Sequence, residues 1–330
     1  MNYNLKKIIL LGFGEQVIDV LKFCKANKIK LSIIAGIRQK NSNNLEIETL
    51  KELKKLNFTD IEFVSSLKKS KIFNNLHDTN SLIILSVGSP FIFSKNTINK
   101  FSSRIINSHG APLPEYRGGG GLTWRYLNSD YRGFVLFHEV NESIDTGPII
   151  YSHKFSFPKN KASLYSWYKK QITEDRKGIN KLLSKLLNNS INKKKPQRKK
   201  YASYFPRINT NINGFINMDW KGDHIERFIG AFSKPYSGAT IFVNNLKIKI
   251  INCNFIKDKN ISPHPFTNGL IFDIRDNFYF VFVLDGYLKI NFSEIISKIK
   301  IKLGDRIFTP SHYLNQSMQN RISYNAEGLV

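Results

Sequence analysis

Apolar positions follow two rhythms along this chain, and the change between them divides it. Residues 7–11 (KIILL) are a continuous apolar run closed by Gly12 and Gly14, residues 17–26 (VIDVLKFCKA) space their apolar side chains by three and four, and residues 31–35 (LSIIA) form a second run. Continuous runs read as strands buried on both faces, and strand–helix–strand order predicts a parallel, doubly wound sheet. The rhythm continues with a helix over 46–56 and strands over 61–64 and 82–87 (LIILSV). It goes on with a strand from Ile105, a helix over 122–127, a strand over 133–140 and extended chain over 148–151. One long helix is predicted over 162–188, with Leu164, Trp167, Ile172, Ile179, Leu182, Leu183, Leu186 and Leu187 on its apolar stripe.

Beyond Arg207 the character changes. After a short helix over 225–232, strands are predicted over 240–243, 247–251, 270–273, 279–284 and 287–291, separated by Asn-Asn, Asp-Asn and Asp-Gly turns. Closely spaced antiparallel strands belong in a small barrel or sandwich. The basic run KKKPQRKK at 193–200 reads as the linker, and as a solvated charge run before a polyanion contact.

Composition narrows the class. The 330 residues suffice for two domains, and 41% hydrophobic with 13% aromatic content excludes a disordered chain. No apolar run approaches the roughly 20 residues of a membrane-spanning helix. The N-terminal run over 8–11 is too short for a secretory core of about 7–15 residues, so the expected compartment is cytoplasmic. Cys24 and Cys253 lie far apart with no CxxC, which argues against a disulfide framework or cysteine zinc site. The net charge of +25 would attract polyanions. Richness in Lys, Asn and Ile together is also what an AT-biased coding sequence yields. The charge therefore reads first as composition, next as capture of a phosphate-bearing substrate, and last as nucleic-acid binding.

The chemistry gathers around residues 105–121, IINSHGAPLPEYRGGGG. On an extended chain Asn107 and His109 share a side; the following prolines bar a helix, and four glycines allow close approach to something bulky. Upstream, the strand over 82–87 runs into Gly88-Ser89-Pro90 and Phe91-Ile92-Phe93, at the carboxyl edge where open α/β sheets bind ligands. Gly12-x-Gly14 lacks the third glycine of a dinucleotide fingerprint and reads as a structural turn in preference to a cofactor loop. Asp145-Thr146-Gly147 has ordinary turn composition. An imidazole beside a carboxylate can be held cationic, and with an Asn amide it can stabilise an acyl oxyanion while the Asp orients it and handles protons. With no nucleophile elbow, direct transfer between two bound substrates is expected. His77, His138, His153, His224, His264 and His312 lack metal-ligand spacing and read as structural; no metal is expected.

Asn107-Ser108-His109, Leu113-Pro114-Glu115-Tyr116-Arg117-Gly118 and Asp145-Thr146-Gly147 in this order resemble the formyltetrahydrofolate-dependent formyltransferase family. The resemblance extends to Ser86-Val87-Gly88-Ser89-Pro90, Tyr204-Phe205-Pro206-Arg207 and Asp219-Trp220. It implies a Rossmann-like formyltransferase domain over 1–205 and a small β-rich, OB-like domain over 206–330. It implies Asn107, His109 and Asp145 as catalytic residues. Ser86, Gly88, Ser89, Phe91, Ile92, His138 and Glu139 would hold 10-formyltetrahydrofolate, with the pterin between the backbone of 86–92 and the loop of 137–144. The glycine quartet 118–121 is most similar to the sugar-nucleotide N-formyltransferases of surface polysaccharide synthesis; initiator-tRNA enzymes have a Gly-Ala-Ala-Pro-like run there. Arg117, Gly118, Gly119, Trp124, Tyr204 and Arg207 would then bind the sugar nucleotide, and a homodimer through the β-rich domain is expected. The chain departs from the family at Gly110-Ala111, where Pro-Ser is common.

Overall fold

The computed structural model describes residues 5–40, 44–77, 80–159, 163–191, 193–258, 264–291 and 301–329. The first half supplies strands β1 (Lys7–Leu11), β2 (Lys30–Gly36), β3 (Ile61–Val64), β4 (Leu82–Ser86), β5 (Ile105–His109), the short β6 (Arg117–Gly118), β7 (Arg132–Glu139) and β8 (Ile149–Ser156). All but β6 form one sheet in the order β3-β2-β1-β4-β5-β7-β8. The first five strands of that order are parallel, while β7 runs antiparallel to both β5 and β8. Between β7 and β8 the cause is local: no helix separates them, and so short a connection joins antiparallel strands.

The helices here are α1 (Gln16–Ala26), α2 (Asn44–Lys55), α3 (Lys71–Asn74), α4 (Lys95–Lys100), α5 (Gly121–Leu127) and α6 (Leu164–Leu187). Strand side chains alternate between two cores. Ile8, Leu10, Ile33, Leu85 and Ile106 pack with Val17 and Leu21 of α1 and with Ile179, Leu182 and Leu186 of α6. Ile9, Leu11, Ile34, Ile84 and Ile105 face the other way, toward Leu76, Phe101 and, from the end of the chain, Ala326. The helix expected from Ala162 starts at Leu164, where Ser163 Oγ accepts the Ser166 amide as its N-cap. Ala162 itself lies outside the described residues.

The second half supplies β9 (Tyr204–Phe205), α7 (Thr210–Asn213), α8 (Gly222–Ala231), β10 (Ala239–Val243), β11 (Leu246–Ile250), β12 (Cys253–Ile256), β13 (Ile271–Arg275), β14 (Phe278–Val283), β15 (Gly286–Asn291), β16 (Ile307–Phe308) and α9 (Ser311–Gln319). Two antiparallel sheets, β11-β10-β16 and β12-β15-β14-β13, close on a core that includes Ile225, Ile229, Ile241, Ile248, Val281 and Leu288. Asn244-Asn245 and Asp276-Asn277 both have positive φ at two successive residues, the backbone that a two-residue hairpin requires. The five expected strands are present, and α7, β12, β16 and α9 are additional. With the chain divided at residue 205, Ala326 would fall in the second unit; in the structure it joins the core of the first. No helix among the described residues is long and apolar enough to cross a membrane.

Candidate active site

β4 and β5 deliver Ser86 and Asn107 side by side, and across the antiparallel step Asn107 pairs with His138 of β7. Ser86 Oγ donates to Asn107 Oδ1 at 2.8 Å, which fixes the amide so that Nδ2 faces His138 Nε2 at 3.2 Å and Asp145 Oδ1 at 3.5 Å. His138 Nδ1 donates to the Glu139 carbonyl at 2.8 Å. Asp145 stands at the centre: its Oδ2 accepts the Gly118 amide at 2.8 Å and lies 3.6 Å from His109 Nδ1, while its Oδ1 lies 3.4 Å from His138 Nε2.

Burial reverses one sequence expectation. The sequence allows a cationic His109 beside its carboxylate; instead its desolvation outweighs the Asp145 charge, and its pKa falls below the ordinary value. The ring is therefore neutral at pH 7. Its Nε2 lies 2.7 Å from the Tyr116 carbonyl, which can only accept, so Nε2 carries the hydrogen and Nδ1 keeps a lone pair toward Asp145. For Asp145, burial pushes the carboxyl up, but the two histidine rings and the Gly118 amide together outweigh it and hold the pKa at about 2.

The Asp145 turn is both structural and part of this cluster. A Cβ on Gly147 would come within 1.8 Å of the Glu139 carbonyl oxygen, so only glycine lets the loop fold back on β7. From the other side Gln197 Nε2 donates to the carbonyls of Asp145 and Gly147, both at 2.8 Å. The run at 193–200 is thus tied into the site rather than free: Lys195 bridges Ile149 and Lys194 pairs with Glu139 at 2.6 Å. Nothing in the spacing singles out Gln197 beyond its interrupting the lysine run beside Pro196. Replacing Gly147 by Ala is expected to cost about 1–3 kcal/mol, as overpacking does, seen as a lower denaturant midpoint, and to lower turnover by displacing Asp145.

A cleft of about 540 Å³ opens over the cluster. Of the residues expected there, Ser86, Gly88, Ser89, Phe91, Ile92, Asn107, His109, Gly118, Gly119, His138, Asp145, Tyr204 and Arg207 line it. Three do not. Glu139 turns away to Lys194, Arg117 donates to Gln197 Oε1 at 2.9 Å, and Trp124 donates to the Pro206 carbonyl at 2.8 Å and lines an adjoining cavity of about 480 Å³. The glycine quartet also meets its bulk within the chain: a Cβ on Gly118, whose φ is +97°, would lie 2.2 Å from the Phe205 carbonyl, because β6 pairs with β9 there. Arg38, Arg321 and Tyr324, which the sequence reading did not single out, complete the wall.

The family description "Formyl transferase" matches residues 6–180 and "Formyl transferase, C-terminal domain" matches residues 209–305. A methionyl-tRNA formyltransferase of Finegoldia magna is 25% identical over 303 residues, covering 91% of this chain and 95% of its own. Two solved structures share the fold. WlaRD, a sugar 3N-formyl transferase determined with dTDP and 5-N-formyl-THF, superposes with a TM-score of 0.64 at 23% identity over 87% of this chain and 97% of its own. An N-formyltransferase from Helicobacter canadensis, in complex with folinic acid and dTDP-3-aminofucose, gives 0.62 at 20% identity, over 87% and 98%. With family matches on both halves of the sequence, this chain belongs to the formyl transferase family.

Proposed function

We propose that the protein transfers the formyl group of 10-formyltetrahydrofolate to the amine of a nucleotide-linked amino sugar, a dTDP- or GDP-amino-dideoxyhexose for surface polysaccharide synthesis. The observation that carries this reading is the placement of Asn107, His109 and Asp145 at the floor of a cleft whose rim bears Arg207 and Tyr204. Both WlaRD and the Helicobacter canadensis enzyme were determined with a folate and a dTDP ligand, which supports the same pair of substrates here. A flat pterin suits the cleft, since Ile92 and Ile144 on its wall are 80% and 52% exposed and offer apolar surface otherwise left to water.

The folate, as co-substrate, supplies the activated formyl group. The chain's residues do the rest. Asn107, its orientation set by Ser86, presents N–H groups toward the cluster where an acyl oxygen would gain charge. Neutral His109 takes the proton from the attacking amine on Nδ1, Asp145 stabilises the imidazolium that forms, and His109 returns that proton to the departing folate nitrogen as the formyl C–N bond breaks. Nε2–H stays on the Tyr116 carbonyl throughout, so the ring does not need to turn.

A second reading, methionyl-tRNA formyltransferase, is favoured by the Finegoldia magna relative. The two are separated by incubating the protein and formyltetrahydrofolate with amino-sugar nucleotides or charged initiator tRNA and weighing the products. A formyl adduct on an amino-sugar nucleotide is expected; an adduct on the tRNA alone would replace this reading with the second.

A further inference from the structure

The end of the chain crosses back over the first unit. Beyond α9, Ile322 bridges Arg207, the Arg38 amide donates to the Ala326 carbonyl at 3.0 Å, and Ile322 and Ala326 are buried. The crossing lies outside both matched family regions, which end at residue 305. It brings Arg321, Ile322, Ser323 and Tyr324 into the cleft wall. Tyr324 is clamped there. The Arg38 guanidinium lies 5.3 Å from its ring centroid, that of Arg207 5.4 Å, and its hydroxyl accepts from Asn209 at 2.6 Å. Arg321 donates to the Tyr204 hydroxyl at 3.2 Å and stacks on that ring at 5.3 Å.

Three guanidinium groups therefore surround two tyrosines, and none of the three has a carboxylate within ion-pair distance among the described residues. Arg38 Nε is buried without a hydrogen-bond partner. Burial, then repulsion from Arg207, lowers the Arg38 pKa, against only weaker opposition from Tyr324 and Glu46. Guanidinium groups gathered on one cleft wall without a carboxylate to pair with are suited to an anionic ligand. Position suggests which: Tyr204, Arg207 and Arg321 line both the catalytic cleft and the adjoining cavity walled by Trp124, Trp220, Phe228 and Phe232. A ligand with its amine at His109 and a flat ring in the aromatic cavity must carry its middle across these arginines.

We infer that the C-terminal strap, residues 320–329, completes an anion subsite of Arg38, Arg207 and Arg321 that holds the diphosphate of the acceptor. The inference deepens the amino-sugar-nucleotide reading and rests on it for the acceptor, but it has its own test. Arg38→Ala and Arg321→Ala, each checked for folding by circular dichroism, are titrated with inorganic pyrophosphate, dTDP and GDP, and separately with folinic acid. Each variant is expected to bind the phosphate compounds about 10-fold or more weakly, as loss of a charge-assisted contact does, and folinic acid as the unmodified protein does. Unchanged affinity for the phosphate compounds overturns the inference. So does weakened folinic acid with intact phosphate binding, which would assign the arginines to the folate's carboxylates. Since binding needs no turnover, absence of any formylated sugar nucleotide would sink the proposed function without deciding the subsite.

Discussion

Asp145→Asn is expected to lower the rate of formyl transfer by about 10²-fold or more while leaving the fold in place. The amide has the carboxylate's shape, so it can still accept the Gly118 N–H and keep the turn clamped by Gln197. It cannot stabilise an imidazolium. The pH profile separates this role from simple positioning. In the proposed mechanism His109 acts when neutral, so activity is expected to fall as acid protonates it; burial moves that limb below the ordinary histidine value of about 6.5. Asp145 raises the His109 pKa against that burial. Removing the charge therefore moves the acid limb of the residual activity to still lower pH. A limb displaced upward, or a rate within a few-fold of normal, would take Asp145 out of the chemistry.

Stability follows the same charge with a definite sign. The folded carboxyl sits at about 2, below the ordinary value near 3.9, so its contribution is present above pH 4 and is lost as pH falls toward 2. The magnitude is roughly 2–3 kcal/mol. Asp145→Asn should unfold a few degrees earlier at pH 7, and the difference should shrink in acid. The lowered histidine acts in the same direction. Below about pH 6.5 the unfolded chain takes a proton that folded His109 does not, so stability declines with acid there too.

How much of this was legible beforehand depended on whether a residue's partner was local. The buried strands from β1 to β5 show as apolar runs because both faces are covered, and the hairpins at Asn244-Asn245 and Asp276-Asn277 show because their turns demand special residues. β12 begins Cys253-Asn254 and β16 is two residues long, too little pattern to register. In the site, Asn107 and His109 share a strand and could be paired by spacing. Gln197 and Tyr324 reach the cluster and the cleft from segments with no apolar period, placed by pairing that sequence spacing does not encode. The charge state of His109 is hidden for a related reason: spacing names the carboxylate but not the depth of burial that defeats it.

The largest stability effect is expected not in the cleft but behind it, at Arg125. This side chain on α5 is fully buried. Its guanidinium donates to three backbone carbonyls, of Gly121 at 3.1 Å, Arg132 at 2.6 Å and Gly110 at 2.7 Å, and more loosely to Gln171 Oε1 at 3.3 Å. It also lies 5.1 Å from the centroid of Phe157, which stacks on Trp167 at 4.3 Å. One planar fork thus ties the residue after His109 to the start of β7 and, through Gln171, to α6. Arg125→Met keeps much of the apolar stem but leaves the part-buried carbonyls of Gly110 and Arg132 without this donor, at about 1–3 kcal/mol each. A total loss on the order of 3–5 kcal/mol is expected, read as a lower urea midpoint. Arg125→Lys is the sharper comparison, because it restores the charge without the fork. If three separately directed N–H bonds are what matters, the lysine variant recovers little of the loss. A lysine variant as stable as the unmodified protein would show that the charge alone holds this corner, and that the geometry of the Gly110 carbonyl is set elsewhere.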